Sequence, residues 1–364
     1  MKKKLISLLL SLIVILSFSI SSIYADTNNK GKVIYLSLNR TSLENLLEIP
    51  IIKEKTSNSG YVALMTTKGD GSNTDQKSFA SIGSGVRANV LDEDYVKFET
   101  LNENEKTQFE AATGVKSWAI GNIKINRNIN QNTDNGGYGA TLGMLGTTLN
   151  KNNLKVALLG NSDIKKNDDL KKIRNLALVC MDENGRVQSG NVDNINKKDD
   201  TMPFGISTDY DKLKSETKKY YENNDAIFVE LGDTYRLDEY KNNLNENTYK
   251  SMKKKIYQNI NDYLKDVFEM AGKNDTIYIV SEFESNLDYK TKRRLSPVIK
   301  FEKDGYGLLE SSTTRNSGIV SNIDIGVDII NKFGLKNELM IGKVFKNVQD
   351  ENGIKKVLKD YERI

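Results

Sequence analysis

Short apolar runs rich in β-branched residues recur along the chain, and longer polar stretches with helical spacing separate them. Most runs are apolar almost throughout, which is typical of parallel strands covered on both faces. We predict strands at 33–38, 61–66, 155–160, 176–181, 226–231, 276–281 and 297–301. We predict amphipathic helices near 42–48, 76–84, 139–149, 209–223, 245–271 and 323–333. This alternation predicts an α/β fold, a three-layer α/β/α sandwich with a mostly parallel central sheet.

The chain begins with a basic, then apolar segment that is typical of a secretory leader. Three lysines precede the apolar stretch "LISLLLSLIVILSFSI", and "SIYAD" offers a cleavage point after Ala25. We predict a signal peptide at 1–25 and a secreted or cell-envelope protein, the alternative being an uncleaved anchor. Only three prolines follow, with no Pro- or Ser-rich linker. We therefore predict a single domain at 26–364, with 183–203 as a surface hairpin or insertion and no further membrane span.

Charge and cysteine content narrow the classes of partner. Without the leader the chain has 50 lysines and arginines against 49 acidic residues. A balance this close to zero does not favour a nucleic-acid-binding surface. The lone Cys180 lies in the apolar run "LALVC" and permits no intramolecular disulfide, so we interpret it as a buried small hydrophobe.

The chain contains no histidine. The chain therefore cannot form a catalytic triad with an imidazole base or a zinc site with histidine ligands.

Polar segments follow the predicted strands, where ligand-binding loops of a parallel sheet gather. The longest reads "GDGSNTDQKSFASIGSG" at 69–85 and combines hydroxyls, aspartates and glycines just after the strand at 61–66. Its glycines would let backbone N–H groups approach an anionic oxygen, and the helix that follows would direct its positive end there.

Four segments together resemble the alkaline phosphatase-like superfamily, which includes phosphomutases, sulfatases and nucleotide pyrophosphatases. They are "MTTKGDGSNTDQKSFASIGSGVRA" (65–88), "ATGVKSWAIGNIKIN" (112–126), "GYGATLGMLGTTLNKNNLKVALLGNSD" (137–163) and "LSPVIKFEKDGYGLLESSTTRNSGIVSNIDIGVDIINKFGL" (295–335). The resemblance covers 33–335 and is strongest to a poorly characterised branch of secreted or envelope-anchored bacterial proteins. It implies a hydrolase fold, although a fold does not fix an activity.

The resemblance implies roles for particular residues. Thr74 falls at the position of the nucleophile, and Ser72 is the alternative if the register slips. Asn39 falls where the first strand would carry a metal-binding aspartate. Glu282 keeps a carboxylate, but Phe283 stands where the resemblance implies a histidine.

Two later segments match the implied metal centre in the same incomplete way. Asn322 and Asp324 correspond to a His-x-Asp element, and Asp233 corresponds to a ligand aspartate. A two-zinc centre with histidine ligands is excluded, so Asp233, Glu282 and Asp324, with Asp75 as a further candidate, could offer only an oxygen site suited to Mg²⁺, Mn²⁺ or Ca²⁺.

The segment "SSTTRNSG" (311–318) places hydroxyls beside Arg315. Arg315 and Thr314 are candidate anion-binding residues, because a guanidinium can hold a phosphate or carboxylate with two hydrogen bonds. The alternative is a structural ion pair with threonines that pin the loop.

Two hypotheses follow. The first is a phosphatase-like protein with a degenerate metal centre that binds a small anionic ligand or a cell-envelope component. The second is a hydrolase of phosphate or related esters, with Thr74 as nucleophile and a carboxylate-held divalent ion.

Overall fold

The computed structural model describes residues 31–91, 96–166, 169–303 and 305–363. The predicted signal peptide, 1–25, lies outside these residues. Within them no helix combines the length and apolarity needed to cross a membrane.

The strands and helices alternate along most of the chain. The strands are Val33–Ser37 (β1), Gly60–Thr66 (β2), Glu99–Thr100 (β3), Ile120–Gly121 (β4), Val156–Asn161 (β5), Ile164–Lys166 (β6), Asp169–Lys171 (β7), Arg186–Val187 (β8), Ser189–Asn191 (β9), Asn196–Lys198 (β10), Ile206–Thr208 (β11), Ala226–Leu231 (β12), Thr276–Val280 (β13), Leu295–Phe301 (β14), Gly307–Glu310 (β15), Ile319–Ser321 (β16) and Lys346–Gln349 (β17). The helices are Leu43–Leu47 (α1), Pro50–Ser59 (α2), Asp75–Ser84 (α3), Glu103–Thr113 (α4), Ile125–Asn135 (α5), Met144–Lys151 (α6), Ala177–Cys180 (α7), Tyr210–Asn223 (α8), Asp233–Tyr240 (α9), Glu246–Met270 (α10), Asn286–Lys290 (α11), Asn322–Lys332 (α12) and Gly353–Arg363 (α13), with short 3₁₀ turns at Pro203–Gly205 and Lys241–Asn243.

A ten-stranded sheet forms the centre of the described chain. Its order is β17-β15-β2-β14-β13-β1-β12-β5-β9, and β16 pairs with the second half of β2. The strands β14 and β17 run antiparallel to their neighbours, and the remaining pairings are parallel. The predicted mostly parallel sheet is confirmed.

Helices bury both faces of this sheet. In β1, Val33 and Tyr35 join one apolar cluster, with side chains from α3, α6, α7 and α12. Ile34 and Leu36 join the other, with side chains from α1, α2, α8, α10 and α13. Side chains of a strand alternate between its two faces, so burial of both explains why the strands are apolar almost throughout. The three-layer sandwich is confirmed.

The composition of the apolar run at 176–181 predicts a strand, but this prediction is wrong. The run contains the short helix α7 instead. Its residues Ala177 to Cys180 are fully buried. Gly83 of α3 and Gly146 of α6 let their backbones approach the carbonyl oxygens of Leu178 and Met181, where an added Cβ would lie 2.3 and 2.2 Å away. The run is apolar because helices enclose it, a situation that composition alone does not distinguish from a sheet.

The segment at 183–203 differs from the predicted surface hairpin or insertion. Strand β9 joins the main sheet as the edge strand beside β5, and β8 pairs with β4. The hairpin that does form pairs β10 with β11, which ends at Thr208 beyond the predicted segment. Backbone hydrogen bonds to neighbouring strands determine this placement. Short strands of mixed polarity carry no sequence pattern that predicts such pairing.

Candidate functional site

Parallel strands bring their polar carboxyl-terminal loops to one edge of the sheet. The strands β1, β2, β12 and β13 all end there, and a cleft of about 270 Å³ opens beside them. We name it the Thr74 cleft. It is lined by Arg40, Asn73, Thr74, Asp75, Gln76, Ile164, Lys166, Lys171, Tyr235, Glu239, Phe283, Asn286 and Tyr289.

Thr74 lies at the N-terminus of α3, where the glycine-rich loop ends. Its extended backbone (φ −140°) and its hydroxyl, which accepts a hydrogen bond from the Lys77 N–H at 3.4 Å, make it the N-cap residue. Among the described residues this is the only hydrogen bond of the hydroxyl, and no base accepts its proton. The hydroxyl thus caps the first turn of the helix.

The loop before Thr74 wraps around a lysine ammonium rather than an open anion site. Lys77 Nζ donates to the Asp70 carbonyl at 2.9 Å and to Ser72 Oγ at 3.3 Å. Ser72 is exposed and does not line the Thr74 cleft. The Asp70 carboxylate accepts from the Gly137 N–H at 2.7 Å, which pins the loop from outside.

Arg40 places a guanidinium in the Thr74 cleft. Nε and Nη2 donate to the Asp75 carboxylate at 3.1 and 2.7 Å, and Nη1 donates to Asn286 Oδ1 at 2.8 Å. Two more carboxylates lie close, with Nη1 at 3.5 Å from Asp238 Oδ2 and 3.7 Å from Glu239 Oε1. The single positive charge of Arg40 thus lies within 4 Å of three acidic side chains.

Aromatic rings and the backbone hold this guanidinium in place. Its Cζ lies 5.5 Å from the ring centre of Tyr235 and 5.4 Å from that of Phe283. The Arg40 side chain is 12% exposed. Arg40 also has a positive φ of 64°, an unusual conformation for a residue with a Cβ. Strain of this kind persists only where surrounding contacts favour the conformation.

Burial and charge shift the pKa values around Arg40. Burial alone would lower the pKa of Arg40, but the Asp75 charge and its hydrogen bonds outweigh burial and raise the pKa. Burial raises the pKa of Asp238 to about 6, against the opposing effects of the Asn286 N–H and the Arg40 charge. The guanidinium therefore stays charged, while Asp238 titrates close to neutral pH.

Glu282, a candidate metal ligand, lies fully buried between strands. Its Oε1 accepts from the Tyr35 hydroxyl at 2.9 Å and its Oε2 from Ser37 Oγ at 2.8 Å. Burial raises the pKa of Glu282 well above its ordinary value, although both hydrogen bonds act in the opposite direction. A carboxyl that favours its neutral form is a poor ligand for a divalent ion.

Asp233 and Asp324, the other candidate ligands, have separate partners. Asp233 forms a buried ion pair with Arg236 at 2.9 Å and accepts from the Thr208 N–H at 3.1 Å. Asp324 accepts from the Ser321 N–H at 3.0 Å and from Thr313 Oγ1 at 2.6 Å, within the capping box of α12. Neither residue lines the Thr74 cleft.

Both candidate asparagines bind the chain itself. Asn39 Oδ1 accepts from the Phe283 N–H at 2.9 Å and so joins the loops after β1 and β13. Asn322 Nδ2 donates to the Lys68 carbonyl at 3.0 Å and to Ser78 Oγ at 3.2 Å. At the positions where the resemblance implies metal ligands, these amides tie strand-end loops together.

Arg315 and Thr314 lie in the loop between β15 and β16, not in the Thr74 cleft. Arg315 is exposed and has a positive φ of 60°. Thr314 Oγ1 donates to the Ile319 carbonyl. The threonine thus pins the loop, and the Arg315 side chain is exposed with no ion pair to a described residue.

The residues present do not fit the two-metal centre that the resemblance implies. Within the described ranges no group of three or more histidine, cysteine, aspartate or glutamate side chains has the arrangement of a metal site. The carboxylates at the implied positions are divided among separate partners, and the Arg40 guanidinium already pairs with Asp75 beside Thr74. The sequence did not single out four residues at or beside this cleft. The only feature of the sequence that pointed to them was their position after strands. They are Arg40, Tyr235, Asp238 and Asn286.

Comparison with solved structures shows that the chain has the fold of the alkaline phosphatase superfamily, which confirms the predicted resemblance at the level of fold. A protein of this superfamily from Vibrio parahaemolyticus is similar over 86% of this chain and 69% of that chain, with 10% identity and a TM-score of 0.50. The lipoteichoic acid synthase LtaP from Listeria monocytogenes is similar over 86% of this chain and 75% of its own, with 12% identity and a TM-score of 0.47. An alkaline phosphatase from the Antarctic bacterium TAB5 has 11% identity and a TM-score of 0.43, over 84% of this chain and 99% of its own. No protein-family model and no curated protein matches the chain.

Proposed function

We propose that this chain is an exported, non-catalytic member of the phosphatase-like fold that binds a small anionic ligand in the Thr74 cleft, either free or as part of a cell-envelope component. One observation carries the proposal. The Arg40 guanidinium lies beside Thr74, pairs with Asp75 and packs against Phe283. A fixed organic cation thus pairs with the carboxylate beside Thr74, and unlike a metal it offers no coordination position to an attacking oxygen.

The rest of the cleft suits an anion better than it suits hydrolysis. The N-terminus of α3, a helix of ten residues, faces the cleft at Thr74. The hairpin of β6 and β7 adds Lys166 and Lys171 to the wall. Helix N-termini and lysines both favour negative charge. A phosphate, sulfate or carboxylate group can bind here with no metal.

The alternative function is metal-dependent ester hydrolysis, with Thr74 as nucleophile and an oxygen-only Mg²⁺, Mn²⁺ or Ca²⁺ site. The partly exposed Thr74 hydroxyl in the cleft favours it. The two functions differ in what Thr74 does. Binding needs the shape and charge of the cleft, whereas hydrolysis needs the hydroxyl.

The test uses the mature chain with p-nitrophenyl phosphate, bis-p-nitrophenyl phosphate and p-nitrophenyl sulfate as probes. We expect no release of p-nitrophenol above background with Mg²⁺, Mn²⁺, Ca²⁺ or Zn²⁺, and calorimetric binding of at least one probe that Thr74→Ala leaves within about twofold. Lys166→Ala should weaken that binding, and Lys165→Ala should not, because Lys165 alternates to the opposite face of β6. Metal-dependent turnover that Thr74→Ala abolishes would establish the alternative. No binding of any probe would contradict the proposed ligand class.

A further inference from the structure

A second cavity lies next to the Thr74 cleft, and Arg40 contributes to the walls of both. It has a volume of about 280 Å³ and lies between α1, α9, α10, α11 and α13. We name it the Tyr257 cavity. Its size is close to that of a small-molecule site, and it has both aromatic and polar walls.

Tyrosine rings form one side of this cavity. Tyr249 and Tyr257 lie on α10 at positions i and i+8, with Lys253 between them, so the three share one stripe of the helix. Tyr361 of α13 lies in the wall as well. Flat rings of this kind can pack against the C–H faces of a sugar, while their hydroxyls meet its hydroxyl groups.

The Tyr257 side chain lies in the wall of the cavity with its hydroxyl open to it. The residue is only 8% exposed, and its hydroxyl makes no hydrogen bond with any residue in the part of the chain that the structure describes. The hydroxyl oxygen is not among the fully buried unpaired polar atoms of the described chain, so it opens into the cavity and is accessible to the hydroxyl of a guest. The side chains of Ser42 and Asn45 lie in the same wall.

Two half-buried cations face the cavity without a carboxylate partner. Lys241 Nζ lies 4.8 Å from the ring centre of Tyr249, and Arg293 Cζ lies 5.3 Å from that of Tyr361. Neither side chain forms an ion pair within 4.0 Å with a described residue, whereas Lys253 Nζ binds Asn45 Oδ1 and Glu48 Oε1, each at 2.8 Å.

The acidic side chains of the wall bind other residues of the same wall or are exposed. Asp238 lies beside Arg40, Asp288 accepts from Ser285 Oγ at 2.6 Å, and Glu44 is exposed. Lys241 and Arg293 are therefore the charged groups available to a guest, and they favour an anion.

We propose that the Tyr257 cavity binds a small sugar that carries one anionic group, a phosphate or a carboxylate. The tyrosine rings contact the sugar ring, the Tyr257 hydroxyl binds one of its hydroxyls, and Lys241 and Arg293 bind the charge. This site is separate from the Thr74 cleft and does not depend on the function proposed for that cleft.

Isothermal titration calorimetry of the mature chain with glucose 6-phosphate, glucuronate, glucose and inorganic phosphate tests the proposal. We expect glucose 6-phosphate or glucuronate to bind at least about tenfold more tightly than glucose or phosphate. The stronger of the first two identifies the anionic group. Tyr257→Phe and Lys241→Met should each weaken that binding about tenfold, and Lys254→Met, an exposed position on the same helix, should not.

Thermal unfolding of each variant verifies that the fold is intact. Tyr257→Phe keeps the ring and Lys241→Met keeps most of the side-chain length, so both preserve the packing of α10. The proposal is wrong if no anionic sugar binds, if Tyr257→Phe and Lys241→Met weaken the binding of inorganic phosphate as much as that of the sugars, or if both cavity variants bind like the unaltered protein.

Discussion

At the scale of single residues, Arg40 is the central side chain of the Thr74 cleft. Its guanidinium binds Asp75 with three hydrogen bonds and contacts Asn286, and rings of Tyr235 and Phe283 lie on it. Such a planar, permanently charged group can balance several carboxylates at a fixed place. In this structure it lines the Thr74 cleft together with the cations of Lys166 and Lys171.

Removing Arg40 should destabilise the protein strongly. Arg40→Ala removes the Arg40 charge from the mostly buried Asp75 carboxylate, and we expect a loss of about 3 kcal/mol in the free energy of unfolding. Arg40→Lys keeps the charge but not the two-point contact, so the loss should be smaller. Both variants keep the strained backbone, which makes the comparison specific to the side chain. Urea unfolding measures it, and equal losses would contradict the assigned role.

Glu230, on the central strand β12, should make stability depend on pH. Burial raises its pKa to about 7 from an ordinary 4.5, against a 2.5 Å hydrogen bond from Ser162 Oγ and the charge of Arg236, while Asp163 raises the pKa further. The folded protein therefore holds this proton more tightly than the unfolded chain does. Its stabilising contribution is complete below pH 4.5 and is lost as the pH rises to about 7.

Glu230→Gln removes this titration and keeps the size of the side chain. We expect the stability of the unaltered protein to fall more steeply between pH 4.5 and 7 than that of the variant. Thermal unfolding across this range measures the difference. Parallel pH profiles would show that Glu230 does not titrate in this window.

At the scale of elements, the sequence predicts the strands whose two faces are buried in the sheet. It does not predict elements whose form depends on contacts with distant parts of the chain. The strands at 33–38, 226–231 and 276–281 were predictable because both faces of a parallel sheet are covered, and β1, β12 and β13 confirm them. The helix within 176–181 was not predictable, because its apolar residues are buried by neighbouring helices and not by a sheet. The resemblance implied a nucleophile position for Thr74, just before the helix predicted near 76–84, and in the structure Thr74 is the N-cap of α3.

The candidate site was predictable in place but not in detail. The polar loops after parallel strands do meet at one edge, as the topology requires. The role of Arg40 depends on a positive φ and on residues up to 246 positions away. No local pattern carries such information, and so the sequence did not single out Arg40.

A glycine contact between elements can be tested by substitution. Gly83→Ala would normally favour a helix, but its Cβ would lie 2.3 Å from the Leu178 carbonyl oxygen of α7. We expect a loss of about 2 kcal/mol because backbone must shift. Gly272→Ala, whose Cβ would meet only ordinary contacts at 3.5 Å, is the control and should be nearly neutral. Chemical denaturation compares them, and a stabilising Gly83→Ala would contradict the packing.

At the scale of the whole molecule, the described chain keeps the fold of a superfamily of hydrolases while its strand-end loops are joined by side chains. Asn39 and Asn322 bind backbone groups of other loops, and Glu282 binds Tyr35 and Ser37. The edge of the sheet is therefore held by the protein's own groups. Such an edge can bind ligands with little rearrangement.

The metal content of the freshly isolated mature protein tests this account most directly. Elemental analysis after purification without chelators should find no zinc, manganese, magnesium or calcium at a stoichiometric level, because the Arg40 guanidinium already occupies the Asp75 carboxylate of the cleft. One or more tightly held divalent ions per chain, lost on chelation together with ester hydrolysis, would contradict the account.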